Sequence, residues 1–321
     1  MDKRTSLLAL LGIGATMPGL TSFQKEKPKQ TNIIFIMSDD HAYQAISAYG
    51  GALAKLAPTP NIDRIAASGM RFDRCLVTNS ICGPSRATIL TGQYSHLNGF
   101  RDNLGTVRFD SSLVTFPKIL QHAGYQTAMI GKWHLESNPV GFDYWDILPG
   151  QGAYYNPDFF NADGKCNVPG YVTEIITDKT LAWLDKAKNS GKPFMLMMHH
   201  KAPHRSWQPG PHELGMYDHV VFPEPATLFD NYSNRGTAER DQNMTISNSM
   251  RIEGDLKLTG KPQRGLTAEQ QQLWDLTYKP KVEYYTQSGF TGTPLVQYKY
   301  QRYMEDYLAC IAAVDKSVGA V

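Results

Sequence analysis

The sequence predicts an α/β protein built on a doubly wound, mostly parallel sheet with helices on both faces. Three observations point there. The apolar runs "NIIFIMSDD", "YQTAMIGKWH" and "KPFMLMMHHKAPH" read as strands buried on both faces, as in a parallel sheet. Segments of helical periodicity lie among them, several closed by glycine. Strands and helices alternate, as they do in βαβ units. A length of 321 residues, with 41% hydrophobic and 19% charged residues, suits a large domain of this class.

The elements follow in chain order. "MDKR" and then "LLALLGIGATM" have the basic start and short apolar core of an export signal, expected over residues 1–23. That apolar run is too short to span a bilayer, and no cysteine lies near the cleavage zone to carry a lipid. A polar linker over 24–31 leads to the main domain, 32–321. "TPNIDRIAASG" reads as a helix stopped by Gly69. "PSRATILTG" is a second, with Pro84 in its first turn and Gly92 at its end. "FPKILQHAG" is a third, and "VTEIITDKTLAWLDKAKNSG" is amphipathic. Residues 205–298 are rich in Pro, Gly, Asn and Gln and read as a loop-rich insertion. From Lys299 a helical spacing returns at Tyr300, Tyr303, Tyr307, Ile311, Val314 and Val318. The sequence stops inside that pattern, so the reading expects a fragment of a longer protein. A net charge of +2 offers no basic stripe for nucleic acid.

Open parallel sheets bind ligands beyond the carboxyl ends of their strands. The first strand delivers Asp39 and Asp40 there, the second Lys132 and His134, and the third, after a turn through Pro203, His204. A solvated turn would explain a lone Asp pair. At the end of an apolar strand, uncompensated charge is costly, and hard oxygen donors suit Ca²⁺ or Mg²⁺. His200 and His204 have the spacing of a helical zinc motif, but Pro203 interrupts any helix and the motif's glutamate is missing. His199 and His200 therefore read as core histidines. Lys132 and His134, two apart on a strand end, face one side, while Trp133 points the other way and packs.

Cys82 has several readings. A cysteine phosphatase places its arginine six residues after the thiol; here Arg86 is four after it, and Pro84 stiffens the loop. A disulfide to Cys75 closes a very short loop. The helix after Cys82 offers free N–H groups to an anion, and Arg86 adds a bidentate donor one turn in. The position faces an oxyanion.

These residues match a known pattern. "CGPSRATILTG" resembles the sulfatase signature, Cys-x-Pro-Ser-Arg followed by a Thr-Gly helix end. "SDDH", "GKWH" and "KAPH" resemble the family's metal pair, its lysine-histidine element and its substrate-side histidine, in the expected order over about 31–321. The resemblance implies a formylglycine-dependent (type I) sulfatase of the alkaline-phosphatase-like superfamily, exported to the periplasm or medium of a bacterium. It implies that a separate maturation enzyme oxidises Cys82 to formylglycine. It implies that Asp39 and Asp40, with the modified Cys82, bind Ca²⁺. Arg86 and Lys132 then hold the aldehyde hydrate and sulfate. His134 takes a proton from the second hydroxyl, so that sulfate is expelled by elimination, and His204 protonates the leaving alcohol. Such chemistry needs a nucleophile, a metal to screen the sulfate oxygens and an acid for the leaving group.

The family also supplies two later metal ligands, another lysine and a smaller C-terminal domain; none has a counterpart before Val321. "KAPHRSWQP", "GFDYWDILPGQGAYYNP" and "PEPATLFDNYSNRG" are similar to glycan sulfatases acting on 6-O-sulfated N-acetylglucosamine. That resemblance implies a sulfated heparan-, keratan- or mucin-type glycan as substrate. Tyr154, Tyr155 and Trp207 read either as an aromatic wall for a sugar or as packing. Two other functions stay open: a phosphatase or phosphonate monoester hydrolase of the same superfamily, and a glycan-binding pseudoenzyme.

Overall fold

The computed structural model describes residues 30–321. The expected export signal and most of the linker lie outside the described residues. Residues 32–321 form one compact unit. The strands are β1 (Ile33–Met37), β2 (Gln126–Lys132), β3 (Tyr144–Leu148), β4 (Asp158–Asn161), β5 (Gly164–Asn167) and β6 (Phe194–His199). The helices are α1 (Pro60–Ser68), α2 (Cys82–Thr91), α3 (Ser95–Asn98), α4 (Phe116–His122), α5 (Val172–Lys188), α6 (Thr237–Asp241), α7 (Ile246–Ser249), α8 (Ala268–Ser288) and α9 (Gly292–Ala320).

Among the described residues there is one six-stranded sheet, ordered β1-β6-β2-β3-β4-β5. The first four strands of that order run parallel, and β4–β5 is an antiparallel hairpin added at one edge. The register matters most for function. Met37 and Gly131 both lie beside His199, so β1, β2 and β6 end at one level. The chain leaving each of them enters the same rim.

Side chains alternate between two cores, as the pleat requires. Ala128, Ile130, Leu196 and Met198 face one way, with Ile176 of α5 and Tyr307, Ile311 and Val314 of α9. Met129, Met195 and Met197 face the other way, with Ala87 and Leu90 of α2 and with Trp133 and Phe142. Helices therefore cover both faces, as expected.

Four local features differ from the sequence reading. β1 is an edge strand among the described residues, and Ile34 is 40% exposed, so it is not buried on both faces. β3 to β5 had no clear signal, being short and carrying polar residues. α2 opens at Cys82, two residues before the expected start, with Pro84 still in the first turn. Residues 205–298 also contain α8, 21 residues long, and α9 begins at Gly292 rather than at Lys299. α8 buries only Trp274 and Tyr278 and contains Pro280, so its periodicity is faint. It does carry a capping box from Thr267 and Gln270. No helix among the described residues is long and apolar enough to cross a membrane.

Candidate active site

The rim above β1, β2 and β6 gathers the predicted residues. After β1 the chain turns at Asp39 and Asp40, the latter at φ 60°. The backbone N–H of Asp39 donates to the Ala202 carbonyl (3.1 Å), which ties the turn to the segment after β6. On the other side, Tyr307 of α9 donates to the Asp40 carbonyl (3.0 Å) and accepts from the Ala42 N–H (2.7 Å). Asp39 points inward and is buried, whereas the Asp40 carboxylate is exposed.

Two cations converge on Asp39. Lys132, buried at the end of β2, donates to its Oδ2, and Arg86 Nη2 lies 3.6 Å from the same atom. Burial alone would raise the Asp39 pKa, but Arg86 and Lys132 outweigh it and hold the carboxyl below its ordinary range. Arg86 is fixed in turn. Its Nη1 donates to the Lys132 carbonyl (2.5 Å) and meets His199 Nδ1 at 2.9 Å. The Lys132 ammonium also donates to Gln151 Oε1 at 2.5 Å.

Cys82 stands at the first residue of α2, half-buried and unbridged. It lines an open cleft of about 440 Å³ with Asp39, Asp40, Ser85 and Arg86. Asn103 Nδ2 donates to its Sγ at 3.4 Å, and Asn103 Oδ1 accepts from the Gly83 N–H at 3.1 Å. Gly83 is required here, because a Cβ would overlap Phe100 and lie 3.0 Å from the His134 carbonyl. All four cysteines are free thiols, so the disulfide reading of Cys75 and Cys82 is not realised.

His204 approaches from the third side. Asp39, Cys82 and His204 each present a ligand atom, all within 4.8 Å of one another. His204 Nε2 lies 3.7 Å from Asp40 Oδ2. Burial, then Lys132 and Lys201, lower its pKa, against the two aspartates. His134 lies beyond the strand end at φ 55°, so it does not continue the β2 alternation with Lys132. Its buried Nδ1 has no hydrogen-bond partner among the described residues. Burial, with Lys132 and Arg86 nearby, depresses its pKa to about 4. Trp133 is buried against Phe142, as expected.

His199 is a buried, hydrogen-bonded histidine, as the sequence reading expects, and its Nδ1 partner is Arg86 Nη1. His200 is buried and meets Ser317 at 3.2 Å. Tyr154 and Tyr155 are core aromatics whose hydroxyls donate to the carbonyls of His204 and Pro209, both at 2.6 Å. Three neighbours had no sequence signal of their own: Gln151, Asn103 and Lys201. Lys201 is buried three residues before His204, and its Nζ donates to the Gln151 carbonyl at 3.1 Å. Burial, with Lys132 close by, lowers its pKa to about 8. The "KAPH" string held that lysine in view, but only the fold turns it inward.

Chemically, the rim combines a carboxylate pair, a fixed guanidinium, a buried ammonium, two imidazoles and a cysteine at a helix N-terminus. A set of this kind is chemically able to hold an anion beside a carboxylate pair that suits a cation.

A family model described as Sulfatase matches residues 31–321. An N-acetylglucosamine-6-O-sulfatase of Bacteroides thetaiotaomicron is 47% identical over 336 residues, which cover 99% of this chain and 59% of that protein. A human N-acetylglucosamine-6-sulfatase is 28% identical, covering 69% of this chain and 43% of its own length. A solved structure of a protein in complex with its substrate D-glucosamine-2-N,6-O-disulfate superposes with a TM-score of 0.85 at 48% identity. That match covers 91% of this chain and 61% of the other. The chain thus spans about three fifths, or less, of the length of these relatives.

Proposed function

The chain belongs to the sulfatase family, and from that premise we propose that the protein hydrolyses sulfate monoesters on glycans, removing a 6-O-sulfate from a glucosamine-type sugar. The observation that carries this is the convergence of Asp39, Cys82 and His204 within 4.8 Å, with Arg86 and Lys132 directed onto Asp39. The named substrates of the relatives support the choice of sugar.

Asp39 and Asp40 are hard oxygen donors, as Ca²⁺ requires; a thiol at Cys82 suits a softer metal, and conversion of Cys82 to an oxygen-bearing side chain removes the mismatch. Asp39 and Asp40, with the modified Cys82, would hold Ca²⁺, which supplies screening of the sulfate oxygens. Formylglycine at Cys82, made by a maturation enzyme, would supply the nucleophilic hydroxyl of an aldehyde hydrate.

The other residues act around these groups. Arg86 and Lys132 bind sulfate oxygens by charge-assisted hydrogen bonds. His199 and the Lys132 carbonyl keep the Arg86 fork in one plane. His134, neutral at pH 7, accepts a proton. His204, whose ligand nitrogen lies within 4.8 Å of Cys82 Sγ, stands where an imidazole can pass a proton to the leaving oxygen. Export to the periplasm or medium fits a glycan substrate.

The test is sulfate release from glucosamine carrying both 2-N- and 6-O-sulfates. Loss of the 6-O-sulfate alone is expected, abolished in Cys82→Ala and by chelation. Loss of the 2-N-sulfate first, or faster turnover of an aryl phosphate than of the aryl sulfate, would contradict the proposal.

A further inference from the structure

The register of the sheet brings two chain exits over the end of β2. Lys132, the last residue of β2, lies beside Leu148, the last residue of β3. Gly131 lies beside His199, the last residue of β6. The chain leaving β3 turns at once: the Gly152 N–H donates to the Pro149 carbonyl at 2.9 Å, with Gly152 at φ 68°. That turn carries Gln151 to the Lys132 ammonium. The chain leaving β6 brings Lys201 to the same place from the other side.

The three residues are linked in series. Lys132 Nζ donates to Gln151 Oε1 at 2.5 Å, and Lys201 Nζ donates to the Gln151 backbone carbonyl at 3.1 Å. An ammonium only donates, so the carbonyl end of the Gln151 carboxamide must face Lys132. Lys201 is itself held. It is buried, and its ammonium lies 4.9 Å from the centre of the Tyr154 ring.

This linkage bears on direction. A lysine ammonium is a point charge with three rotatable donors on a flexible stem. One N–H of Lys132 goes to Asp39 and a second to Gln151. Two fixed partners stop the ammonium from rotating, so the third N–H has one direction. Gln151 is also a neutral acceptor. It fixes the ammonium without cancelling its charge, whereas a carboxylate in its place would compete with an anion for Lys132 and repel it.

The geometry points to Gln151 as a positioning residue, which aims the Lys132 ammonium at the sulfate and is held in place for this by Lys201. The role rests on the sulfatase reading above, in which Lys132 binds a sulfate oxygen.

The experiment measures KM and kcat for 6-O-sulfated N-acetylglucosamine, and the inhibition constant of inorganic sulfate against it. Gln151→Met keeps the length of the side chain and removes the acceptor. It should raise KM and the sulfate inhibition constant about tenfold each, which corresponds to ~1.4 kcal/mol. Gln151→Glu keeps an acceptor but adds negative charge, and it should weaken sulfate at least as much. Gln151 is exposed, so neither variant opens a cavity in the core. A merely structural role would lower kcat through the fraction of active protein and leave both constants unchanged. That result overturns the positioning role while leaving the sulfatase reading intact. Unchanged sulfate inhibition in Gln151→Glu also counts against it. Lys201→Met should raise the same two constants, and combining it with Gln151→Met should add little further; full additivity overturns the part given to Lys201. Should Lys201→Met not fold, the two Gln151 variants decide alone. No sulfate release by the unaltered protein removes the sulfatase reading, and the positioning role with it.

Discussion

At the residue scale the site depends on how cations are pinned. Arg86 uses three directions at once, toward the Lys132 carbonyl, His199 Nδ1 and Asp39. A lysine has no planar fork and cannot reproduce them. Arg86→Lys should therefore lower kcat/KM by at least about tenfold, the equivalent of one good hydrogen bond to a charge, with Tm lowered too; an unchanged kcat/KM would refute the role. His134 is expected to act as a neutral base. Because its pKa is depressed to about 4, it stays neutral, and able to accept a proton, until the pH falls toward that value. The acid limb of kcat/KM that it controls should lie near pH 4, not near the ordinary histidine value of 6.5. That the seven predicted residues meet at one rim was legible in the sequence, because strand ends carry ligands and the signature fixes Cys82 against Arg86. Gln151, Asn103 and Lys201 were not. Their roles arise from where a loop after β3, a turn near α3 and the segment after β6 come to rest, and no local pattern encodes that.

At the element scale the rim depends on one close approach. Gly131 sits at φ 102°, one residue before Lys132, and a Cβ there would overlap the His199 carbonyl oxygen of β6. The obstacle is backbone and cannot swing aside. Gly131→Ala should separate the ends of β2 and β6. It should cost at least ~1–3 kcal/mol, by overpacking and by strain at positive φ. Chemical denaturation would measure this, and unchanged stability would show that the strands can part freely. The strand ends, α5 and the body of α9 were legible from apolar periodicity. α8 was missed because its buried side is only Trp274 and Tyr278, too narrow to produce a stripe. The β4–β5 hairpin was missed because short, partly polar strands at a sheet edge give no alternation strong enough to read.

At the scale of the whole molecule, distant segments brace the site. Tyr307 of α9 closes both hydrogen bonds that hold the turn of Asp40 to Ala42. Tyr307→Phe should cost about 1–3 kcal/mol, the penalty for a part-buried N–H left without its partner. It should also weaken calcium binding, which titration calorimetry would detect. Stability should depend on acid through His200. Burial pushes its pKa down to about 4, so the fold holds it neutral. A histidine lowered on folding contributes its full stability above 6.5 and loses it as the pH falls from there toward about 4. His200→Gln should flatten that part of the stability curve; an unaltered slope would assign the acid loss to other groups. The central claim is that these braces, strand ends and charges serve an aldehyde made from Cys82. The tryptic peptide from Cys75 to Arg86, taken from protein expressed with a maturation enzyme and active on a sulfate ester, tests it most directly. The account predicts a peptide lighter than its unmodified sequence and reactive toward hydrazides at position 82. A fully unmodified thiol in that active preparation would contradict it.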